Sequence, residues 1–234
     1  MNTPLRFDIE AGAETLAADR IDAGNGASCV LLHGAGTSHR ARWLPLRQAL
    51  AAQGVGSIAI DFSGHGESSA RAPNSLAKRL REAQAALAHL DGTGPRAVIG
   101  ISMSGEIAVR LAADPRNRIE RLLTLVGAAY DPAAFELPFG PAFTAVLRTP
   151  GSWRASLAFD LIAGFRGRLT LVRGAEDAVI PPGIADTLAE RAVLAERVEV
   201  IDLPDTGHLL GEAWQKQPGF AGRLSAIALR AVGA

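Results

Sequence analysis

The stretch Val98-Ile-Gly-Ile-Ser-Met-Ser-Gly-Glu-Ile-Ala108 opens as an apolar run of β type, breaks at a serine set among small residues, and resumes with helical character. A serine held at the tip of a strand-to-helix turn needs small residues two positions to either side, because longer side chains there collide with the returning chain. Gly100 and Ser104 occupy those places and Gly105 follows, so the stretch reads as a nucleophile elbow with Gly-x-Ser-x-Ser in place of the usual Gly-x-Ser-x-Gly. Such a turn presents Ser102. A plain strand-helix junction can carry the same five residues, so the reading depends on what the remaining chain brings to Ser102.

Working outward, apolar strand-like runs alternate with helical patterns on both sides of the turn. Residues 5–10 and 14–21 read as an opening antiparallel hairpin around Gly12, and residues 24–26 as a further turn. Strands are then expected at 29–32, 56–60, 97–101, 121–126, 169–172 and 198–201. Helices are expected at 40–53, 75–90, 103–113, 183–195 and 219–232, the last presenting Leu224, Ile227 and Ala228 at helical spacing. This alternation predicts an α/β domain with a mostly parallel sheet of eight strands, whose parallel members read as apolar runs because helices cover both faces.

Residues 128–167 interrupt the rhythm. Trp153, Leu157, Leu161 and Phe165 recur every fourth residue, which predicts one sheet-covering helix over 152–165 with Ser152 as its cap. Residues 131–150 remain as an insertion, with Pro132, Pro138, Pro141 and Pro150 interleaved with Phe135, Phe139 and Phe143. It reads as a short apolar cap or lid whose aromatics Phe135, Phe139 and Phe143 line a modest apolar pocket. The bland alternative is that they only pack the insertion to the sheet.

Composition narrows the class. At 234 residues one core is expected, and about 70–75% of the unfolded surface can be buried at this length. Lys and Arg number 24 against 24 Asp and Glu, with no basic cluster, so no nucleic-acid or anionic-membrane footprint is present. Cys29, the single cysteine, lies in an apolar run and reads as a buried structural thiol. The first eleven residues include Arg6, Asp8 and Glu10 where a signal peptide is apolar. No apolar run approaches the roughly 18 residues of a membrane span. A cytoplasmic protein of 1–234 acting on a small molecule is the expectation.

A serine hydroxyl needs a base to take its proton. His208 stands in Leu203-Pro-Asp-Thr-Gly-His-Leu-Leu210, a loop after the last expected strand, on the sheet edge where the Ser102 turn also emerges. His89 reads as a solvated helix residue and His39 has no evident partner, whereas His33 and His65 lie in glycine turns of that same edge. The base in turn needs a carboxylate to hold its tautomer. Asp177 follows the penultimate strand, with Glu176 and Asp131 as rivals.

Taken together, Leu31-Leu-His-Gly-Ala-Gly36, Ile60-Asp-Phe-Ser-Gly-His-Gly-Glu-Ser68, the elbow and the acid and histidine loops resemble the α/β-hydrolase superfamily of serine hydrolases from about residue 27 onward. The order Ser102, Asp177, His208 is the order of that fold. The resemblance favours Asp177 through the form Gly174-x-x-Asp177-x-x-Ile180-Pro181. It implies an oxyanion hole made by the backbone N–H groups of Ala35 and Met103, and hydrolysis of an ester or thioester through an acyl-enzyme without cofactor or metal. A serine nucleophile also admits carbon-carbon hydrolase and acyltransferase chemistry, and the same fold can serve as a ligand-binding protein. His65 and its glycines are expected to shape the rim, and Glu106 to support the first turn of the helix after the elbow.

One motif competes. Gly34-x-Gly36 after a strand, with Asp61 ending the next, imitates a dinucleotide-binding turn and its ribose acid. That fingerprint needs a third glycine at position 39, where His39 stands. The scattered histidines and single cysteine offer no metal-site spacing.

Overall fold

Burial alternates along β1 (Leu5–Ala11) and covers most of β2 (Glu14–Ile21), and the two form a hairpin in register from Leu5↔Arg20 to Ala11↔Glu14. The turn closes through Gly12 at φ +64. The structure, a computed structural model, describes residues 3–233. The remaining ends of the expected domain, residues 1, 2 and 234, lie outside the described residues.

Six further strands complete one eight-stranded sheet: β3 (Ala27–Leu32), β4 (Gly56–Ile60), β5 (Ala97–Ile101), β6 (Arg121–Leu125), β7 (Arg168–Gly174) and β8 (Arg197–Leu203). Their order is β1-β2-β4-β3-β5-β6-β7-β8, antiparallel from β1 to β4 and parallel from there on. The chain runs outward in one direction from β3 to β4 and in the other from β3 through β5, so β3 and β5 flank the switch point, where open α/β sheets place ligands.

Helices cover the sheet as the pattern requires. On one face α1 (Leu44–Ala51) packs with α9 (Phe220–Val232) over Cys29, Leu31, Ile99 and Leu123. On the other α2 (Leu76–Leu87) and α3 (Ser104–Ala113) lie over Val30, Leu32, Val98 and Leu122. Successive residues of β3 and β5 therefore enter different cores, and both strands read as continuous apolar runs. Burial pushes the Cys29 thiol up to about 12, which keeps it a neutral packing group.

Three helical expectations change. The helix expected from residue 40 begins as a 3-10 turn, Arg40–Trp43, and becomes α-helical with Pro45 in its first turn. A short α8 (Leu210–Lys216) follows the histidine loop where none was expected. Residues 152–165 are not one helix. A 3-10 turn at Ser152–Ala155, α6 (Ala158–Leu161) and a second 3-10 turn at Ile162–Gly164 replace it. The break falls at Ser156, whose ψ of +131 is extended and whose hydroxyl accepts from Ala158 N. The rotation this introduces exposes Leu157 and Leu161 and buries Ala158, Phe159 and Ile162 instead. Residues 131–150 carry α4 (Pro132–Phe135) and α5 (Pro141–Arg148), and α7 (Gly183–Arg191) lies between β7 and β8. No helix among the described residues is long and apolar enough to cross a membrane.

Candidate active site

The chain leaves β5 and turns at once into α3 because Ser102 takes φ +51, a left-handed conformation that costs a non-glycine residue about 1–3 kcal/mol. Its amide donates to the Leu125 carbonyl at 2.9 Å, and its carbonyl accepts from Gly105 and Ala128 at 2.8 and 2.9 Å. A Cβ on Gly100 would meet the Ser104 carbonyl oxygen at 2.4 Å and Ala108 Cβ at 2.6 Å. One on Gly105 would meet Gly127 Cα at 2.6 Å. The turn thus needs glycine at 100 and 105, and position 104 accepts a serine.

Two more loops converge on this point. Ser102 Oγ lies 2.9 Å from His208 Nε2, and His208 Nδ1 lies 2.9 Å from Asp177 Oδ2. A carboxylate at Nδ1 fixes the proton there and leaves Nε2 free to accept from the serine hydroxyl. The other Asp177 oxygen accepts from the amides of Val179 and Ile180 at 2.8 and 2.9 Å, so both oxygens of a side chain only 5% exposed are partnered. Acid and histidine loops also pack on each other, since a Cβ on Gly174 would stand 2.4 Å from the Thr206 carbonyl oxygen. Glu176 N donates to that same carbonyl at 2.9 Å.

The rival residues have other partners. Glu176 is exposed, and Asp131 caps α4 by accepting from Ala133 N at 2.8 Å. His33 is fully buried, with Nδ1 2.7 Å from the Gly34 carbonyl and Nε2 accepting from Phe62 N at 3.1 Å. Burial, reinforced by the nearby Arg79 charge, holds it well below the ordinary histidine range. His65 is lowered by the same two causes and bridges Ser38 and Arg79. His89 is exposed against the Phe7 ring, and His39 precedes the 3-10 turn. Asp61, the acid of the competing nucleotide motif, is 1% exposed and accepts from the amides of Arg40 and Glu67 while pairing with the Arg40 guanidinium. The same buried ionic cluster continues through Asp19 to Arg47. No cluster of metal-ligating side chains occurs among the described residues.

The loop after β3 runs against Ser102. A Cβ on Gly34 would come within 3.1 Å of Ser102 Cβ. Among the described residues no protein acceptor takes the amide of Ala35 or of Met103. The arrangement therefore brings a serine oxygen within hydrogen-bond reach of an imidazole, with the loop that carries Ala35 beside it, and such a pair can carry out acyl transfer.

The aromatic insertion divides in two. Phe139 and Phe143 stack edge to face at 4.8 Å, with Tyr130 at 6.0 Å from Phe143 and the Arg79 guanidinium 5.4 Å from the Phe139 ring. Phe135 instead lies under the guanidinium of Arg110 at 3.7 Å, on the flank of α3. Glu106, buried in the first turn of α3, ties down both ends of the segment by accepting from Tyr130 N at 2.5 Å and Ser156 Oγ at 2.9 Å. Burial raises its carboxyl despite the Arg110 ion pair. Beside His208 a cleft of about 340 Å³ opens, lined by Leu209, Glu212 and Ala213.

A family model described as the alpha/beta hydrolase family matches residues 29–218. No curated protein matches the chain in sequence. Among solved structures the chain is similar to the ferulic acid-bound Est1E of Butyrivibrio proteoclasticus, at TM-score 0.72 and 16% identity over 97% of this chain and 100% of that one. It is also similar to the thioesterase domain of the curacin biosynthetic pathway, at TM-score 0.71 and 18% identity over 97% and 100%. A third is the 2-hydroxy-6-oxo-6-phenylhexa-2,4-dienoate hydrolase of Rhodococcus sp. strain RHA1, at TM-score 0.71 and 16% identity over 97% and 99%. At these identities the likeness is one of fold.

Proposed function

The chain belongs to the alpha/beta hydrolase family, and on that premise we propose that it is a serine hydrolase cleaving a carboxylic ester or thioester of small to medium apolar acyl groups. The observation that carries this reading is the unbroken Ser102–His208–Asp177 chain of hydrogen bonds beside the two unpaired amides of Ala35 and Met103.

His208 Nε2 takes the Ser102 proton as Oγ attacks the carbonyl carbon. Charge moves onto the carbonyl oxygen, and the Ala35 and Met103 amides receive it. Each such donor lowers the barrier by about 2.7–4 kcal/mol. Asp177 stabilises the imidazolium that forms. His208 then protonates the leaving alcohol or thiol, which departs through the open cleft at its side. Water, deprotonated by the same Nε2, hydrolyses the acyl-enzyme and frees Ser102. Phe139 and Phe143, packed with Tyr130, form the apolar wall that limits acyl length, and Phe135 anchors the cap to α3.

The test is a panel of p-nitrophenyl esters and acyl-CoA thioesters of graded length, run on the wild type and Ser102→Ala, with fluorophosphonate labelling beside it. Labelling and turnover are expected in the wild type, with acetyl to hexanoyl groups preferred, and both should be lost in Ser102→Ala. Absence of labelling and of turnover on every member would identify a ligand-binding protein on this fold. Turnover restricted to vinylogous diketone substrates would identify carbon-carbon hydrolysis.

A further inference from the structure

Arg79, in the first turn of α2, is 1% exposed, and no carboxylate among the described residues stands within ion-pair distance of it. Its guanidinium donates to two neutral acceptors instead. Nη1 donates to the Gly34 carbonyl at 3.1 Å, and Nη2 to His65 Nε2 at 2.7 Å. His65 in turn donates through Nδ1 to the Ser38 carbonyl at 3.1 Å, so the imidazole is neutral and fixed in one tautomer. The rings of Phe62 and Phe139 lie 4.6 and 5.4 Å from Cζ and keep water away. Glu82 is the carboxylate that acts on it, through space and not in contact. A buried cation with no carboxylate touching it is costly in a fold, and its position shows what it holds.

The Gly34 carbonyl and the Ala35 N–H belong to one planar trans peptide and point in opposite directions. Whatever grips the carbonyl sets the direction of the amide. Two buried donors grip it, Arg79 Nη1 and His33 Nδ1, the latter at 2.7 Å. Gly34 itself lies against Ser102, so the amide is held on the side away from Arg79.

We propose that Arg79 is a positioning residue for acyl transfer, anchoring the Gly34–Ala35 peptide so that the Ala35 amide stays aimed at the oxygen that becomes negative. This rests on the serine-hydrolase reading given above. Arg79 touches no reacting atom. It holds the peptide in its charge-receiving orientation before substrate arrives, and a cation on the carbonyl end polarises the donor at the other.

Arg79→Met keeps the length and apolar packing and removes the donors, whereas Arg79→Lys restores one. In Arg79→Met, kcat should fall on the order of 10–100-fold, less than the roughly 10²–10³ of deleting a donor outright, with KM within about twofold. Affinity for a trifluoromethyl ketone, which forms an oxyanion on Ser102, should fall by the same factor, while affinity for the unreactive methyl ketone stays unchanged. Arg79→Lys should recover most of the loss, and the Ala35 amide resonance should move in Arg79→Met and return towards its place in Arg79→Lys. The proposal is overturned by a kcat within twofold of wild type, by a loss confined to KM, or by a lysine variant no better than methionine. If Arg79→Met does not fold, Arg79→Leu takes its place against Arg79→Lys with the same criteria. Should the wild type turn over no ester or thioester, the serine-hydrolase reading fails by itself. The anchoring is then judged on the Ala35 resonance, and an unmoved signal in the folded variant refutes it.

Discussion

Ser104 Oγ stands 2.5 Å from the carbonyl oxygen of His33 and donates to it, joining the first turn of the helix behind Ser102 to the loop that carries Ala35. The residue that departs from the familiar elbow pattern is therefore a tie between two parts of the site, fully buried at 0% exposure. Ser104→Ala leaves a buried carbonyl without its partner, and a loss of about 1–3 kcal/mol in urea denaturation is expected. The folded variant should keep most of its ester turnover, because Ser104 neither attacks nor donates to the substrate. A turnover as low as that of Ser102→Ala would assign it a direct part.

Asp177 reaches His208 and Asp131 does not, so their asparagine variants should separate cleanly. Asp177→Asn replaces the acceptor at Nδ1 by an amide that favours the wrong tautomer, and kcat should fall by about 10³–10⁴. Asp131→Asn keeps a side-chain acceptor at the cap of α4 and should retain full activity. Steady-state kinetics on one p-nitrophenyl ester decides it, and the reverse pattern would move the acid to Asp131.

Glu106 carries four contacts, two to Arg110 and one each to Tyr130 and Ser156, all from inside the fold. Glu106→Ala strands the partly buried Arg110 and frees both ends of the inserted segment between Tyr130 and Ser156. Stability should drop by about 3–5 kcal/mol. Cleavage by a nonspecific protease at low dose should then concentrate within residues 131–150. Unchanged melting together with an intact segment would show that the ends are held by something else.

His33 and His65 both sit below the ordinary histidine value of 6.5, for the same first reason, desolvation by burial. A base with a lowered folded pKa keeps its full stability contribution while both states are neutral, above about pH 6.5. As pH falls below that, the unfolded chain takes up protons that the folded one refuses, and stability declines. Melting temperature should therefore fall from about pH 6.5 towards pH 5, and His65→Gln should shallow that slope. A flat melting profile over this interval would contradict the buried neutral state.

At the opposite end of the scale, Glu14 is held down at about 2, chiefly by the Arg71 amide and then by Lys78. A lowered carboxylate contributes above its unfolded value near 4.5 and loses that contribution as pH falls towards 2. Glu14→Gln should accordingly remove part of the acid unfolding between those values in a pH titration of circular dichroism.

Much of this architecture can be read from residue order. The inner strands β3 to β7 appear as apolar runs because two cores claim alternate side chains, and Ser102, Asp177 and His208 each follow a strand by a few residues. Gly100 shows its purpose in sequence, since only a strand about to fold back needs a missing side chain there. The helix expected over 152–165 fails because the four-residue spacing of Trp153 to Phe165 says nothing about Glu106, which captures the Ser156 hydroxyl from another element and fixes the break. α8 hides behind Gly211, and its visible trace is the Glu212–Lys216 pair at four-residue spacing. Arg79 leaves no trace either. An arginine in a helix reads as a solvated residue, and its contact with Gly34 spans 45 positions that no local pattern connects.

The spacing of the hydrogen-bonded trio has a consequence for synthesis. Ser102 and His208 stand 106 residues apart, and His208 becomes usable only when β8 has docked beside β7 and the Thr206 carbonyl has seated against Gly174. A nascent chain emerging from the ribosome can complete its elbow, α3 and the Ala35 loop long before it owns a base. On the serine-hydrolase reading proposed above, Ser102 is an ordinary alcohol until the last strand closes the sheet edge, and the growing polypeptide is chemically silent towards every ester around it.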